Sequence, residues 1–324
     1  MPENWLPPVD FPAYLESKRA IDAASLNPAL FERFRTRCET HPALRLLDLG
    51  TGTGAMLRCV LDFRLGDAVE LAGLDQDPVS LESAAGRIGA DLESRGFRVR
   101  YHTTPGRWEL EAEDAGKRWM ARLVQGDFLA AAADASFGLG DCDVVTAHAF
   151  LDLLPAERGL RAIRSLLRPK GMLYATLNYD GQTALLPPDR DERFERALLA
   201  AYDQSMEDRR VGGEPTAGAL SGRRLYGALG PAGFEVLGAG SSDWNVFPRA
   251  GGDAEGGWAE GGGAEGAGLF MKVLLGMIAS EGLRSKAIDP RDLRGWHERR
   301  CAEVDAGRLG LVVHQLDLLA ERSP

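Results

Sequence analysis

The sequence predicts an α/β fold built on a mostly parallel, doubly wound sheet with helices on both faces. Three observations carry this. Short apolar runs alternate with segments whose apolar residues recur at helical spacing, an order that joins parallel strands by crossover helices. The first run, Leu44-Arg45-Leu46-Leu47-Asp48-Leu49, passes straight into Gly50-Thr51-Gly52-Thr53-Gly54, a turn tight enough to need glycine where a ligand approaches the backbone. Two later runs end in the acids Asp75 and Asp127, which parallel strands bring to one edge of the sheet.

Each element follows in order. Residues 1–40 read as a helical pair interrupted at Asn27-Pro28, a cap packed on the core. After the first strand and the glycine turn, a helix opens at Ala55, and a second apolar run, residues 69–74, ends at Asp75. Pro78 starts a helix with Leu81, Ala85, Ile88 and Leu92 on one face, and Gly96 closes it. Runs on either side of Pro105-Gly106 predict an extra hairpin. Leu123-Val124 leads into Gln125-Gly126-Asp127-Phe128, and residues 141–148 form a fourth strand ending at His148. A helix over 156–167 and a fifth strand over 172–177 follow, then helices around 191–208 and 220–229 and a strand at 234–237. The glycine-rich acidic stretch 251–263 reads as a flexible loop, followed by helical segments near 267–282 and 290–305 and a last strand at 309–315.

Bulk properties set limits. A net charge of -10 argues against nucleic acid as a partner. No apolar stretch approaches the roughly 18 residues a membrane span needs, and the N-terminus lacks a signal-peptide pattern. Cys38, Cys59, Cys142 and Cys301 are far apart with no C-x-x-C, which argues against disulfides and a cysteine metal site. The expectation is a cytoplasmic protein with no membrane partner, either a monomer or a homodimer.

Asp75 lies 21 residues after Gly54, placed to accept both hydroxyls of a ribose. A nucleoside-containing cofactor is therefore expected. Gly50-x-Gly52-x-x-Ala55 also satisfies a loose dinucleotide fingerprint, so the glycines alone leave NAD open. Asp48 favours another ligand. A carboxylate two residues before the first glycine suits the ammonium of a methionine moiety and would repel a pyrophosphate. Asp127 and Phe128 suit adenine, the acid accepting from the exocyclic amine and the ring packing on the base.

In their order, the Asp48 to Gly54 run, Leu74-Asp75-Gln76-Asp77, Gly126-Asp127-Phe128 and Asp143-Val144-Val145 resemble class I S-adenosylmethionine-dependent methyltransferases over residues 40–180. The resemblance implies a Rossmann-like, seven-stranded sheet whose last strand inserts antiparallel beside strand six. It implies S-adenosyl-L-methionine as cofactor, held by Asp48, Gly50, Thr51, Gly52, Thr53, Gly54, Asp75, Gln76, Asp127, Phe128 and Ala147. Read as a lid over the cofactor, the cap would bring Lys18 or Arg19 near its carboxylate. It also implies a catalytic domain over 41–324, with insertions at 181–218 and 247–306 forming a substrate lid beside the 1–40 cap.

Methyl transfer needs a base only when the acceptor is protonated. His148, just past the fourth strand, is the candidate, or else it packs against the adenine. Asp152 orients His148 or contacts substrate, or else is a first-turn acid. Tyr179 and Asp180 either bind a polar acceptor or belong to a turn, and Trp244 is either an aromatic wall or a packed side chain. The remaining histidines lack metal-ligand spacing, so no metal is expected. Thr146-Ala147-His148-Ala149 stands where amino-methylating DNA enzymes carry an Asn/Asp-Pro-Pro-aromatic loop, and no carboxylate set matches the metal-dependent catechol enzymes. What remains is a small-molecule acceptor, with oxygen, nitrogen and carbon all open. Residues 150–154, 179–181 and 242–244 look like a bacterial branch of that family. The alternatives are an NAD(P)-dependent oxidoreductase and a non-catalytic cofactor-binding module.

Overall fold

The computed structural model describes residues 5–7, 10–248, 258–259, 264–285 and 288–324. The chain opens with α1 (Phe11–Ser25) and α2 (Pro28–Thr40), capped by the side chains of Asp10 and Asn27. The sheet core follows as β1 (Ala43–Leu49), α3 (Ala55–Val60), β2 (Ala68–Asp75) and α4 (Pro78–Ser94). A hairpin, β3 (Arg98–Thr104) and β4 (Arg107–Asp114), then leads to β5 (Lys117–Gln125), α5 (Phe128–Ala133), β6 (Cys142–His148) and α6 (Ala156–Leu166).

Next come β7 (Leu167–Leu186), α7 (Glu192–Glu207), the short pair β8 (Arg210–Val211) and β9 (Glu214–Pro215), α8 (Ser221–Leu229), β10 (Phe234–Ser241), β11 (Trp244–Pro248) and β12 (Trp258–Ala259). The chain closes with α9 (Ala264–Arg284), α10 (Pro290–Asp305) and β13 (Gly310–Arg322).

The sheet runs β3-β4-β5-β2-β1-β6-β7-β13, with β10 and β11 both on the far side of β13 and β12 beyond β11. Strands β5, β2, β1, β6 and β7 are parallel, and β13 enters antiparallel between β7 and β10. This is the doubly wound, mostly parallel seven-strand arrangement, extended at one edge by the hairpin and at the other by β11 and β12.

Three apolar clusters hold it. Helices α2, α3 and α4 bury Phe34, Leu57 and Ile88 on one face. Helices α5, α6 and α8 bury Phe128, Ile163 and Leu229 on the other. A third cluster packs α1, α7, α9 and α10 against the distal half of β7, β11 and β13, around Phe270, Ile278 and Trp296. This helical layer stands over the carboxyl end of β7, where parallel sheets bind ligands.

Two expectations need correction. Residues 178–181 do not end strand five. β7 runs on to Leu186 through a register shift between the His314–Gln182 and Gln315–Tyr179 pairs, and β13 is correspondingly long. The left-handed Gly181 (φ 77°) accommodates the bulge. One described helix is also long and apolar enough to cross a bilayer. It covers Gly266–Arg284 in α9, with mean hydropathy 1.4, yet 56% of that span is buried inside the molecule. Its small residues bring it close to its neighbours: a Cβ on Gly266 would meet the Ser17 carbonyl of α1 at 2.8 Å.

Candidate functional site

The turn between β1 and α3 is left-handed at Gly50, Gly52 and Gly54 (φ 65°, 50° and 81°), which favours glycine at each. The Gly50 and Thr51 N–H groups donate to the Leu74 carbonyl at 2.9 and 3.2 Å, fixing the turn to the end of β2. Asp75, the last residue of β2, accepts from the Gly52 N–H at 2.8 Å and the Asp77 N–H at 3.0 Å. Each oxygen retains a lone pair for a further donor.

Asp48 is 1% exposed. Its carboxylate accepts from the Thr51 hydroxyl at 2.7 Å and the Thr146 hydroxyl at 2.6 Å. Burial pushes its pKa up to about 6, against the opposing effect of the two hydroxyls. A buried acid whose bonded partners are both neutral fits a cationic ligand group.

Along the same edge, Gln76 Nε2 donates to Asp127 Oδ2 at 3.1 Å, while Asp127 Oδ1 caps α5 through the Ala130 N–H at 2.9 Å. Phe128 is buried edge-on to Phe150, with ring centroids 6.0 Å apart. Ala147 is buried in β6, opposite Leu49. Side chains close over the turn. A Cβ on Gly50 would meet Phe150 Cδ2 at 2.5 Å, and one on Gly52 would meet Leu15 Cδ1 at 2.8 Å. Thr53 Oγ1 donates to Glu16 of α1 at 2.7 Å, so its hydroxyl faces the cap helix.

His148 ends β6 beside this turn. Its Nδ1 lies 2.8 Å from Thr176 Oγ1 on β7, and its Nε2 lies 3.5 Å from Asp22 Oδ2 on α1. Asp22 also pairs with Lys18 one helical turn away and accepts from Trp244 Nε1 at 2.9 Å. Burial raises the Asp22 carboxyl, but Lys18 and His148 beside it hold it below the usual carboxylate range. The residues that follow His148 and Thr176, Ala149 and Leu177, are left-handed at φ 49° and 54°. Such strain persists only where the surroundings over-determine the backbone, and it clusters at functional sites.

A band of half-buried groups runs from this cluster toward α7. Tyr14 lies within electrostatic reach of Asp22 and Tyr202, and Tyr202 within reach of Asp152 and Asp203. Tyr179 donates to Asp203 Oδ1 at 2.7 Å. Burial lifts Asp152 to about 6, with Arg209 at 3.9 Å offsetting part of the cost. Tyr14, Asp152, Tyr179, Tyr202 and Asp203 are each half-buried.

The sequence-predicted residues divide accordingly. Asp48, the three glycines, Asp75, Gln76, Asp127, Phe128, Ala147 and His148 gather at one edge, and Trp244 touches the His148 cluster through Asp22. Asp152 and Tyr179 lie in the half-buried band beside them. Arg19 does not join them. Its side chain is 48% exposed and lies 3.6 Å from Glu16, because one residue on a helix is a turn of about 100° and Lys18 takes the inward face. Asp180 is not free either: it is 5% exposed and forms a bidentate pair with Arg223 of α8. The stretch 251–257 and 260–263 lies outside the described residues. Among the described residues no group of His, Cys, Asp and Glu is arranged to hold a metal.

Sequence reading missed Asp22, Thr176, Tyr14, Tyr202 and Asp203. The Lys18–Asp22 spacing of four on a helix was the available signal; Thr176 on β7 and the Tyr202-Asp203 pair on α7 lie far from that helix in sequence.

No protein-family model matches the chain, and no curated protein matches it. Solved structures do resemble it. A SAM-dependent methyltransferase from Thiobacillus denitrificans in complex with S-adenosyl-L-homocysteine is 15% identical, with 97% of this chain and 98% of that chain covered and a TM-score of 0.44. A SAM-dependent methyltransferase from Geobacter sulfurreducens, also in complex with S-adenosyl-L-homocysteine, is 13% identical, with 94% and 97% covered and a TM-score of 0.42. A geranyl diphosphate methyltransferase in complex with GPP and sinefungin is 11% identical, with 92% and 78% covered and a TM-score of 0.41.

Proposed function

We propose that this chain is a class I S-adenosyl-L-methionine-dependent methyltransferase acting on a small molecule. The observation that carries the reading is Asp48: a buried carboxylate held by two hydroxyls, two residues before the glycine turn and opposite Gly73, near the strand end where Asp75 lies. Asp48 would meet the ammonium of the methionine moiety, Asp75 the ribose hydroxyls, and Gln76, Asp127 and Phe128 the adenine. The residues present fit that group in charge and order, provided Leu15 and Phe150 swing off the glycines.

When bound, the cofactor supplies a methyl group on a sulfonium, already a good leaving group. The chain's own work is then to align the acceptor, exclude water and move a proton. In this reading His148 takes the acceptor's proton on Nε2 once Asp22 has moved off that nitrogen, since Nδ1 is engaged by the buried Thr176. Tyr14, Tyr179, Tyr202 and Asp152 form the acceptor wall, and α7, α9 and α10 form the lid. The four scattered cysteines support a reducing, cytoplasmic setting.

A second reading, a cofactor-binding module without turnover, rests on the same residues, since the glycine turn, Asp48 and Asp75 serve binding with or without chemistry. An NAD(P)-dependent oxidoreductase is disfavoured by Asp48, whose charge would face the pyrophosphate. Calorimetry on the full chain tests the assignment: S-adenosylhomocysteine should bind in the micromolar range and NAD should not. Tight NAD binding with no response to the homocysteine nucleoside would overturn it. Turnover against a panel of hydroxyl and amine acceptors separates enzyme from module.

A further inference from the structure

We propose that the acceptor carries a basic amine, bound as an ammonium between α7 and the sheet by Asp203, Asp152 and Gln315, against the rings of Tyr14 and Tyr202. The acceptor's part in this rests on the methyltransferase reading; the preference for a cation does not.

Asp203 sits on α7 with its carboxyl half-buried. The Tyr179 hydroxyl of β7 donates to Oδ1 at 2.7 Å, and Oδ2 takes no hydrogen bond from the described residues. Nor does any described Lys, Arg or His offset its charge. Burial raises the carboxyl, the Tyr179 hydroxyl opposes the rise, and Glu207 nearby adds to it. Asp152 is the second acid. Its nearest cation, Arg209, stands at 3.9 Å, beyond hydrogen-bond reach. Tyr202, next to Asp203 on α7, lies within electrostatic reach of both acids. Two desolvated carboxylates without a hydrogen-bonded cation favour a ligand that brings one.

Gln315 of β13 points the same way independently. It is 2% exposed, and its buried Oε1 has no hydrogen-bond partner among the described residues. Gln315 is the direct partner of Tyr179 across the β13–β7 ladder, so the two side chains stand on one face of the sheet. From that face the Tyr179 hydroxyl reaches Asp203. An amide oxygen can only accept, and leaving it buried and unpaired costs free energy. A ligand that donates would satisfy it.

An ammonium combines a positive charge with several N–H donors. It suits Asp203 Oδ2, Asp152 and Gln315 Oε1 together, and the faces of tyrosine rings attract cations. A metal ion fits less well, since no described group of His, Cys, Asp and Glu is arranged to hold one. An anionic acceptor would face both acids with Arg209 alone to offset them. A neutral alcohol could serve Gln315 but would leave the carboxylates without a counter-charge.

The test uses full-length protein saturated with S-adenosylhomocysteine and three probes of similar shape: phenethylamine, 2-phenylethanol and phenylacetate. Affinities are read by ligand-observed NMR titration. The wild type should bind the amine about tenfold or more tightly than the alcohol or the acid. Asp203→Asn keeps an acceptor for Tyr179 and removes the charge. It should lose about tenfold in amine affinity while binding of the alcohol and of S-adenosylhomocysteine is kept. A merely structural Asp203 would lower the amine and the alcohol alike. Gln315→Leu should also weaken the amine, and carries the test if Asp203→Asn does not fold. A wild type without preference for the amine, or unchanged amine affinity in either folded variant, overturns the proposal. Failure of the methyltransferase reading would show separately, as wild-type protein that does not bind S-adenosylhomocysteine in calorimetry; the amine preference is then read without it.

Discussion

Leu15 on α1 covers Gly52 so closely that a Cβ on that glycine would meet Leu15 Cδ1 at 2.8 Å. The cap helix and the glycine turn are therefore in direct contact, and a ligand reaching the turn has to displace this side chain.

Leu15→Ala removes the obstruction and little else, since Leu15 is only half-buried. The expected result is faster association of S-adenosylhomocysteine, measured by stopped-flow fluorescence of the six tryptophans. An unchanged or slower association rate would show that Leu15 does not gate the turn.

Asp48 carries a stability cost at neutral pH. Its pKa is raised to about 6 in the folded protein, above the unfolded value, so the folded state gains stability when the group is protonated. That gain is present below pH of about 4 and is lost as pH rises through about 6. Asp48→Asn should accordingly raise stability at pH 7.5 by about 2–3 kcal/mol and hardly change it at pH 4. It should also abolish binding of the homocysteine nucleoside. Urea unfolding at the two pH values decides the first point and calorimetry the second.

Asp75→Ala should weaken S-adenosylhomocysteine binding by about 1.5–3 kcal/mol, the usual loss when hydrogen bonds to a charged group are removed. Replacing Gly52 by valine should abolish binding, because its left-handed backbone and the Leu15 contact leave no room for a branched side chain. Equal affinities in wild type and either variant would move the ligand away from this turn.

His148→Ala should cost about 10²–10⁴-fold in turnover with cofactor affinity kept. If the substitution instead weakens cofactor binding and leaves the pH profile alone, His148 lines the cofactor site and is not the base.

In the helical layer, Arg300 is 0% exposed and forms a bidentate pair with Glu195, which also accepts from Trp296 Nε1 at 2.9 Å. Removing the cation leaves a buried carboxylate short of its partner. Arg300→Met should destabilise the protein by about 3–5 kcal/mol while the glycine turn still binds S-adenosylhomocysteine. A variant as stable as wild type would mean the pair is replaceable by simple packing.

Much of the site was legible because it is local. The glycine turn, Asp48 and Asp75 sit at the ends of successive strands, and a parallel sheet brings successive strand ends to one edge whatever surrounds them. The β3–β4 hairpin was legible for the same reason, since Pro105-Gly106 and the runs beside it specify it within a dozen residues. The 178–181 stretch misled because its turn-forming residues lie in a bulge, and pairing with β13, more than a hundred residues away, keeps the strand going.

The sequence by itself determined the order of strands and helices, the strand-end acids and the position of His148 at the end of β6. Periodicity and glycine placement act over a few residues. Only the tertiary structure decided what surrounds His148. Asp22, Thr176 and Trp244 come from α1, β7 and β11, and no spacing rule relates them; they meet because the cap helix packs between α9 and the sheet. The same packing selected Lys18 over Arg19 and gave Asp180 to Arg223. A side chain's partner is fixed by which face is buried, and burial is a property of the assembled layers.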